Sequence, residues 1–201
     1  MIGPDRFARA IALIDAANAA DPNFMRYGGA NRPKELLHAE LLSRWVEVLR
    51  PDAPEALRLA ARGQHLRRWE HPRSGFPDGR TGYLRWRTSL YAFHAAETAC
   101  LLEQAEYPSE MVERVSQIIR KQGLGRDDDV QAIEDGLCLV FLETQLDELA
   151  GKLDREKMLT ILRKTWKKMS PAARTLALEL TFEPAERALI ADALAGSTND
   201  A

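Results

Sequence analysis

A chain of 201 residues with a formal charge of −2 is long enough for one domain with a proper core, and too evenly balanced for a nucleic-acid coat protein. Charged residues make up 29% and aromatics 7%, a profile that fits a helix-rich protein, and no apolar run approaches the ~20 residues needed to span a bilayer. Met1–Arg6 lacks the apolar core of a signal peptide, so the cytoplasm is the expected location and no membrane partner is expected.

Helical periodicity dominates, and strand signals are nearly absent. A first helix over Pro4–Ala20 puts Phe7, Ala10, Ile11 and Ile14 on one face and stops at Asp21-Pro22. A loop through Tyr27-Gly-Gly-Ala-Asn31 follows, and Pro33 opens a second helix where its missing N–H costs nothing. That helix ends at Arg50-Pro51, and a third runs from Pro54 to about Trp69. His71–Gly82 is rich in proline and glycine and reads as a loop. A long helix is expected over Tyr83–Gln104, and another over Pro108–Gln122 with Gly123 as C-cap. Asp127-Asp128-Asp129 caps the next, which extends to about Leu149. Helices over Asp154–Met169, Pro171–Leu180 and Pro184–Leu194 complete a single domain over 1–195, with its core in about 4–150 and C-terminal helices over about 154–195. Residues 196–201 form a polar tail expected to be disordered. Cys100 and Cys138 sit in apolar helical patterns and read as reduced, buried residues.

Three of the four histidines fall on apolar helix faces. His38 shares its face with Leu41, Leu42, Trp45 and Leu49; His65 follows Leu57 and Ala61; His94 lines up with Leu90, Thr98 and Leu101. Asp135 lies in the apolar run Glu134-Asp-Gly-Leu-Cys-Leu-Val-Phe-Leu-Glu143, where an unpartnered carboxylate is strongly disfavoured. A metal shared by His38, His65, Asp135 and His94 would satisfy all four groups, and their imidazole and carboxylate chemistry suits Mn, Fe, Zn or Ni. The competing reading makes each histidine a satisfied core residue, with no cofactor.

The order of these residues, a histidine followed 27 positions later by a second one at a helix end and then by a distant aspartate, resembles the HD-domain metallohydrolases. The resemblance implies an all-α fold, a compact orthogonal helical bundle, with His94 at the place of a histidine found in the two-metal members. Two departures stand out: Leu66 occupies the position of the motif's aspartate, and Arg120-Lys121 that of a further histidine. Glu97 and Glu134 are the carboxylates available to substitute.

A longer resemblance covers nearly the whole chain. Phe7–Asn18, Asp21-Pro-Asn23, Pro33-Lys-Glu-Leu-Leu37, Gln64-His-Leu-Arg-Arg-Trp69, Gly82-Tyr-Leu-Arg-Trp-Arg87, Cys138-Leu-Val-Phe-Leu-Glu143 and Ile161–Met169 resemble the uncharacterised family called domain of unknown function 4202. Some of its members carry a glutamyl-tRNA synthetase label, but this chain has neither a nucleotide-binding βαβ pattern nor a synthetase signature.

Arginines crowd the segment after His65: Arg67, Arg68, Arg73, Arg80, Arg85 and Arg87, with Trp69 and Trp86 among them. Arg67, Arg68, Arg87 and Lys121 are the candidate substrate-binding cations, suited to a phosphate or other small anion. Arg87 shares the face of His94, whereas Arg85 faces outward. A second basic run, Arg163–Lys168, reads as a solvated helix face, because acidic neighbours weaken any attraction for nucleic acid. The leading expectation is a metal-dependent phosphohydrolase acting on a small phosphorylated or nucleotide substrate. In it His94 or Glu97 would act as a second ligand or general base. The alternatives are a metal-free module that binds a nucleotide or RNA end, and a purely structural or partner-binding protein. Oligomeric state is left open.

Overall fold

A hairpin stands where the chain reads as a loop. In the computed structural model, which describes residues 5–195, Phe24–Tyr27 (β1) pairs antiparallel with Ala30–Pro33 (β2). Its turn is Gly28-Gly29, with φ of 57° and 84°. A two-residue turn of this hand needs positive φ at both positions, which glycine adopts freely. Gly-Gly was therefore the readable signal. The remaining elements are helical, so the protein is all-α apart from this ribbon. No helix among the described residues is long and apolar enough to cross a membrane.

The chain divides into two compact units, Met1–Ile133 and Glu134–Ala201. The first holds α1 (Arg6–Ala19), the hairpin, α2 (Lys34–Leu49), α3 (Glu55–Gly63), α4 (Gly79–Gln104), α5 (Ser109–Ile119) and the start of α6 (Asp128–Thr144). Its hub is α3. Ala56, Leu57, Leu59, Ala60, Ala61 and Gly63 are all buried, and α1, α2, α4 and α5 all pack on this helix. So many small residues on nine positions let four helices approach one short rod closely.

The helix ends follow local chemistry. Asp127 caps α6 as expected, its Oδ1 accepting from the N–H groups of Asp129 and Val130. The close of α5 differs from expectation. The Gln122 N–H reaches back to the Gln117 carbonyl, and Lys121 rather than Gly123 takes the left-handed position after the helix, at φ 57°. The third helix ends at Gly63, well short of Trp69, because Arg67 turns left-handed at φ 52° and breaks the helical path. The His71–Gly82 segment is also less irregular than its prolines suggest: Arg73–Gly75 makes a 3-10 turn, and α4 starts already at Gly79. Gly82 permits this, since a Cβ there would lie 2.7 Å from the Pro77 carbonyl carbon.

The second unit contains the rest of α6, then α7 (Leu146–Lys152), α8 (Arg155–Lys168), α9 (Pro171–Glu179) and α10 (Pro184–Ala195). The long helix expected to reach Leu149 breaks at Gln145. Asp154 and Ser170 cap α8 and α9 with their side chains. Both cysteines are free, but only Cys138 is buried; Cys100, expected inside, sits on the exposed side of α4. The expected tail, 196–201, lies outside the described residues, as does the first-helix start at Pro4.

Candidate metal centre

The start of α2 is held by a residue far from it in sequence. Pro33 provides no side-chain cap, and Asp21 takes that role: its Oδ2 accepts from the Glu35 N–H at 2.9 Å, while Oδ1 accepts from the Asn23 backbone and side chain. Asp21 is buried, so these bonds fix the hairpin and the first turn of α2 together. Glu35 and His38 stand one turn apart on that helix and both face inward.

His65 is delivered differently. It lies in the turn after α3, and three side chains grip the backbone of that turn. The Thr98 hydroxyl donates to the Gly63 carbonyl at 3.3 Å, His94 Nδ1 donates to the Leu66 carbonyl at 2.9 Å, and the Arg67 N–H donates to Asn18 Oδ1 at 3.2 Å. Asn18, His94 and Thr98 are fully or almost fully buried. A carbonyl only accepts, so His94 carries its proton on Nδ1 and turns a bare Nε2 inward.

These two pieces meet as one cluster. The His38 and His65 rings stack with centroids 3.9 Å apart, and His94 lies 5.6 Å from His65. Glu35 Oε2 is 3.4 Å from His65 Nδ1. One ligand-type atom from each of Glu35, His38 and His65 lies within 4.8 Å of the other two. A tetrahedral ion at about 2.1 Å from its ligands spaces them about 3.4 Å apart, so a modest inward shift would close the set. Three buried atoms here have no hydrogen-bond partner: Glu35 Oε2, His38 Nδ1 and His94 Nε2. Buried polar atoms are usually bonded, so three unbonded ones on neighbouring side chains are consistent with a ligand position.

The electrostatics agree with the chemistry of ligands. Burial pushes the His38 imidazole well below the ordinary histidine value, with His65 adding to the effect. Burial lowers His65 in the same way, helped by the positive charge of Arg68, and brings His94 down to about 4. All three are neutral at physiological pH, the form that binds metal. Burial raises the Glu35 carboxyl. The His65 side chain is 21% exposed, which leaves the cluster open to solvent on its side.

A pH dependence follows for metal-free protein. Unfolded histidine takes up its proton below about pH 6.5, whereas folded His94 does so only near pH 4. Between these values the unfolded chain binds more protons, so stability falls as pH falls. Urea unfolding at pH 7 and pH 5 is expected to differ by about 2 kcal/mol from His94 alone, with His38 and His65 adding in the same sense. The raised Glu35 carboxyl acts in the opposite sense, so the profile is read in Glu35→Gln, where a flat line across that window would contradict the burial of neutral imidazoles.

The expected ligand Asp135 belongs to the second unit. There its buried Oδ1 accepts from the Ser170 N–H at 2.8 Å at the cap of α9, and its neighbour Glu134 pairs with Lys168 at 3.2 Å. Within the first unit, Glu35, absent from the expected ligand set, stands with His38 and His65. Its signal was available: Glu35-Leu-Leu-His38 is a Glu-x-x-His step, which places both side chains on one helix face. Leu66 is fully buried and takes part through its carbonyl. Glu97 and Arg67, expected as base and substrate cation, pair with each other at 3.0 Å. His71, the fourth histidine, bonds Ser89, and its carbonyl accepts from Trp86 Nε1, which anchors the loop. Arg85 is exposed as expected, whereas Arg87 is half-buried and gives its Nε to the Tyr91 hydroxyl at 2.9 Å. Lys121 sits over the Tyr91 ring, 5.6 Å from its centroid.

A family model described as a domain of unknown function (DUF4202) matches residues 8–190. No curated protein and no solved structure matches the chain.

Proposed function

The chain belongs to the DUF4202 family, and we propose that it is a divalent-metal-dependent hydrolase acting on a small phosphorylated substrate. The observation that carries this reading is the convergence of Glu35, His38 and His65, where the buried Glu35 Oε2 and His38 Nδ1 make no hydrogen bond. The donor set of two imidazoles and one carboxylate suits Mn, Fe, Zn or Ni, and it leaves coordination positions for substrate. Such an ion would supply Lewis acidity beside the opening at His65.

The residues of the chain divide the remaining work. His94 holds the His65 turn through the Leu66 carbonyl and presents an unprotonated Nε2 to the cluster. A group protonating only near pH 4 is a poor general base at neutral pH, so His94 fits a ligand or a neutral acceptor better than the base role. Arg67, closed on Glu97, braces the same turn, which leaves Arg68 and Arg87 as the cations for the substrate. The helical frame with its histidine order is read here as HD-like, with Glu35 rather than Asp135 completing the set. Two free cysteines favour the cytoplasm.

The test is elemental analysis of protein purified without chelator, followed by phosphate release from a panel of phosphomonoesters. Near-stoichiometric transition metal and chelator-sensitive release are expected. Metal-free, inactive protein that neither Mn, Zn, Fe nor Ni restores would end this reading.

A further inference from the structure

The first unit pairs its half-buried arginines with care. Arg62 closes on Asp15, Arg114 on Asp127 and Asp129, Arg32 on Glu40, Arg50 on Asp52 and Asp129, and Arg67 on Glu97. Arg9 and Arg73 reach backbone carbonyls, Arg9 with Glu106 in addition. Two half-buried arginines break the pattern, and the first of them, Arg68, follows His65 by three residues. Arg68 lies over the Trp86 ring, 5.1 Å from its centroid, and no described residue accepts a hydrogen bond from its five N–H donors. Arg87, the next residue after Trp86, has only the hydroxyls of Tyr91 and Tyr83 as partners and no carboxylate.

The two guanidiniums also act on each other. Partial burial disfavours the charged form of Arg68, the Glu35 charge opposes this, and the charge of Arg87 adds to the burial. The other half-buried arginines of this unit bond a carboxylate or a backbone carbonyl, and these two bond neither. Two like charges partly withdrawn from water with no carboxylate bonded to either are costly, and a ligand that brings two negative charges removes that cost. Guanidinium forks match the oxygens of a tetrahedral oxyanion, and the hydroxyls of Tyr83 and Tyr91 add neutral hydrogen-bonding groups at its edge.

We propose that Arg68 and Arg87 form a subsite for the phosphoryl group of a phosphate monoester dianion, and that this subsite binds phosphate without the metal. The proposal deepens the hydrolase reading by naming the substrate class: a terminal phosphate, not a diester and not a carboxylate, since those carry one charge where two cations wait. Stacking on Trp86 holds Arg68 in place beforehand, so little freedom is lost on binding.

The experiment uses the full chain in EDTA and titrates inorganic phosphate, methyl phosphate and dimethyl phosphate by calorimetry at constant ionic strength. One phosphate per chain is expected, with methyl phosphate bound at least about tenfold more tightly than dimethyl phosphate. Arg68→Gln and Arg87→Gln are each expected to weaken phosphate by about tenfold or more, as loss of a charged hydrogen bond does. Arg87→Lys retains the charge but not the fork and is expected to weaken it too. Exposed Arg85→Gln is the control and is expected to bind like the wild type; circular dichroism confirms that each variant is folded. The subsite is overturned if folded wild type ignores phosphate in EDTA, if the diester binds as well as the monoester, or if folded Arg68→Gln and Arg87→Gln bind unchanged. Phosphate binding by protein that never holds metal would sink the hydrolase and keep the subsite; metal without phosphate binding would do the reverse.

Discussion

Substitution of His38 or His65 by alanine is expected to strip the protein of its metal, with affinity falling by at least about 100-fold. Even groups that merely orient a ligand are worth 10–100-fold in known sites, so loss of a ligand itself sets a higher floor. Glu35→Gln keeps the shape of the side chain and removes its charge, and it is expected to lose metal as well. Asp135→Asn is the discriminating variant. Asp135 already serves the α9 cap by accepting from the Ser170 N–H, so this variant is expected to keep wild-type metal content while losing some stability. Chelator competition on the four purified variants reads the result. Metal lost from Asp135→Asn but kept by Glu35→Gln would restore the aspartate as ligand and remove Glu35 from the set. The alanine variants are not expected to unfold, because removing a desolvated polar ring offsets part of the packing lost with it.

The second large effect is mechanical. Gly63 closes α3 two residues before His65, and a Cβ there would lie 2.7 Å from Thr98 Cγ2 and closer still to the Thr98 hydroxyl. Thr98 is fully buried and short, so it has nowhere to swing; α4 would have to retreat from the turn that carries His65. Alanine in a helix ordinarily gains up to about 1 kcal/mol over glycine. Gly63→Ala is nevertheless expected to cost about 1–3 kcal/mol net, the range for overpacking a tight core. Thr98→Ala in the same chain removes both clashing atoms and is expected to recover much of the loss, at the expense of one hydrogen bond to the Gly63 carbonyl. Urea midpoints for the two single variants and the double give the coupling directly. Metal affinity is expected to follow the same order, because the turn that Thr98 grips is the turn that presents His65. Additive effects, or a Gly63→Ala protein more stable than wild type, would show that the approach of α3 and α4 is loose.

Local signals in the chain were enough for its helical class, for most helix starts and stops, and for the inward direction of His38 and His94. Periodicity reports which side of a helix is apolar, and Asp127, Asp154 and Ser170 cap their helices through bonds to residues two or three positions away. Family membership was legible for a related reason: the resemblance rests on contiguous phrases of sequence, not on contacts. What the chain could not display by itself was partnership. Asp135 looked like a buried charge in need of a partner, and a group that it accepts from is a backbone N–H 35 residues away. Glu35 looked like an ordinary acid in the first turn of a helix, until the cap from Asp21 and the bend at Arg67 brought His65 against it. Arg67 and Arg68 are neighbours of the same type, yet one is spent on Glu97 and the other is left without an acceptor. A residue's type and helix face follow from nearest neighbours along the chain. Whether its charge is satisfied depends on groups tens of residues distant, and only the packing of α2, α3 and α4 decides that.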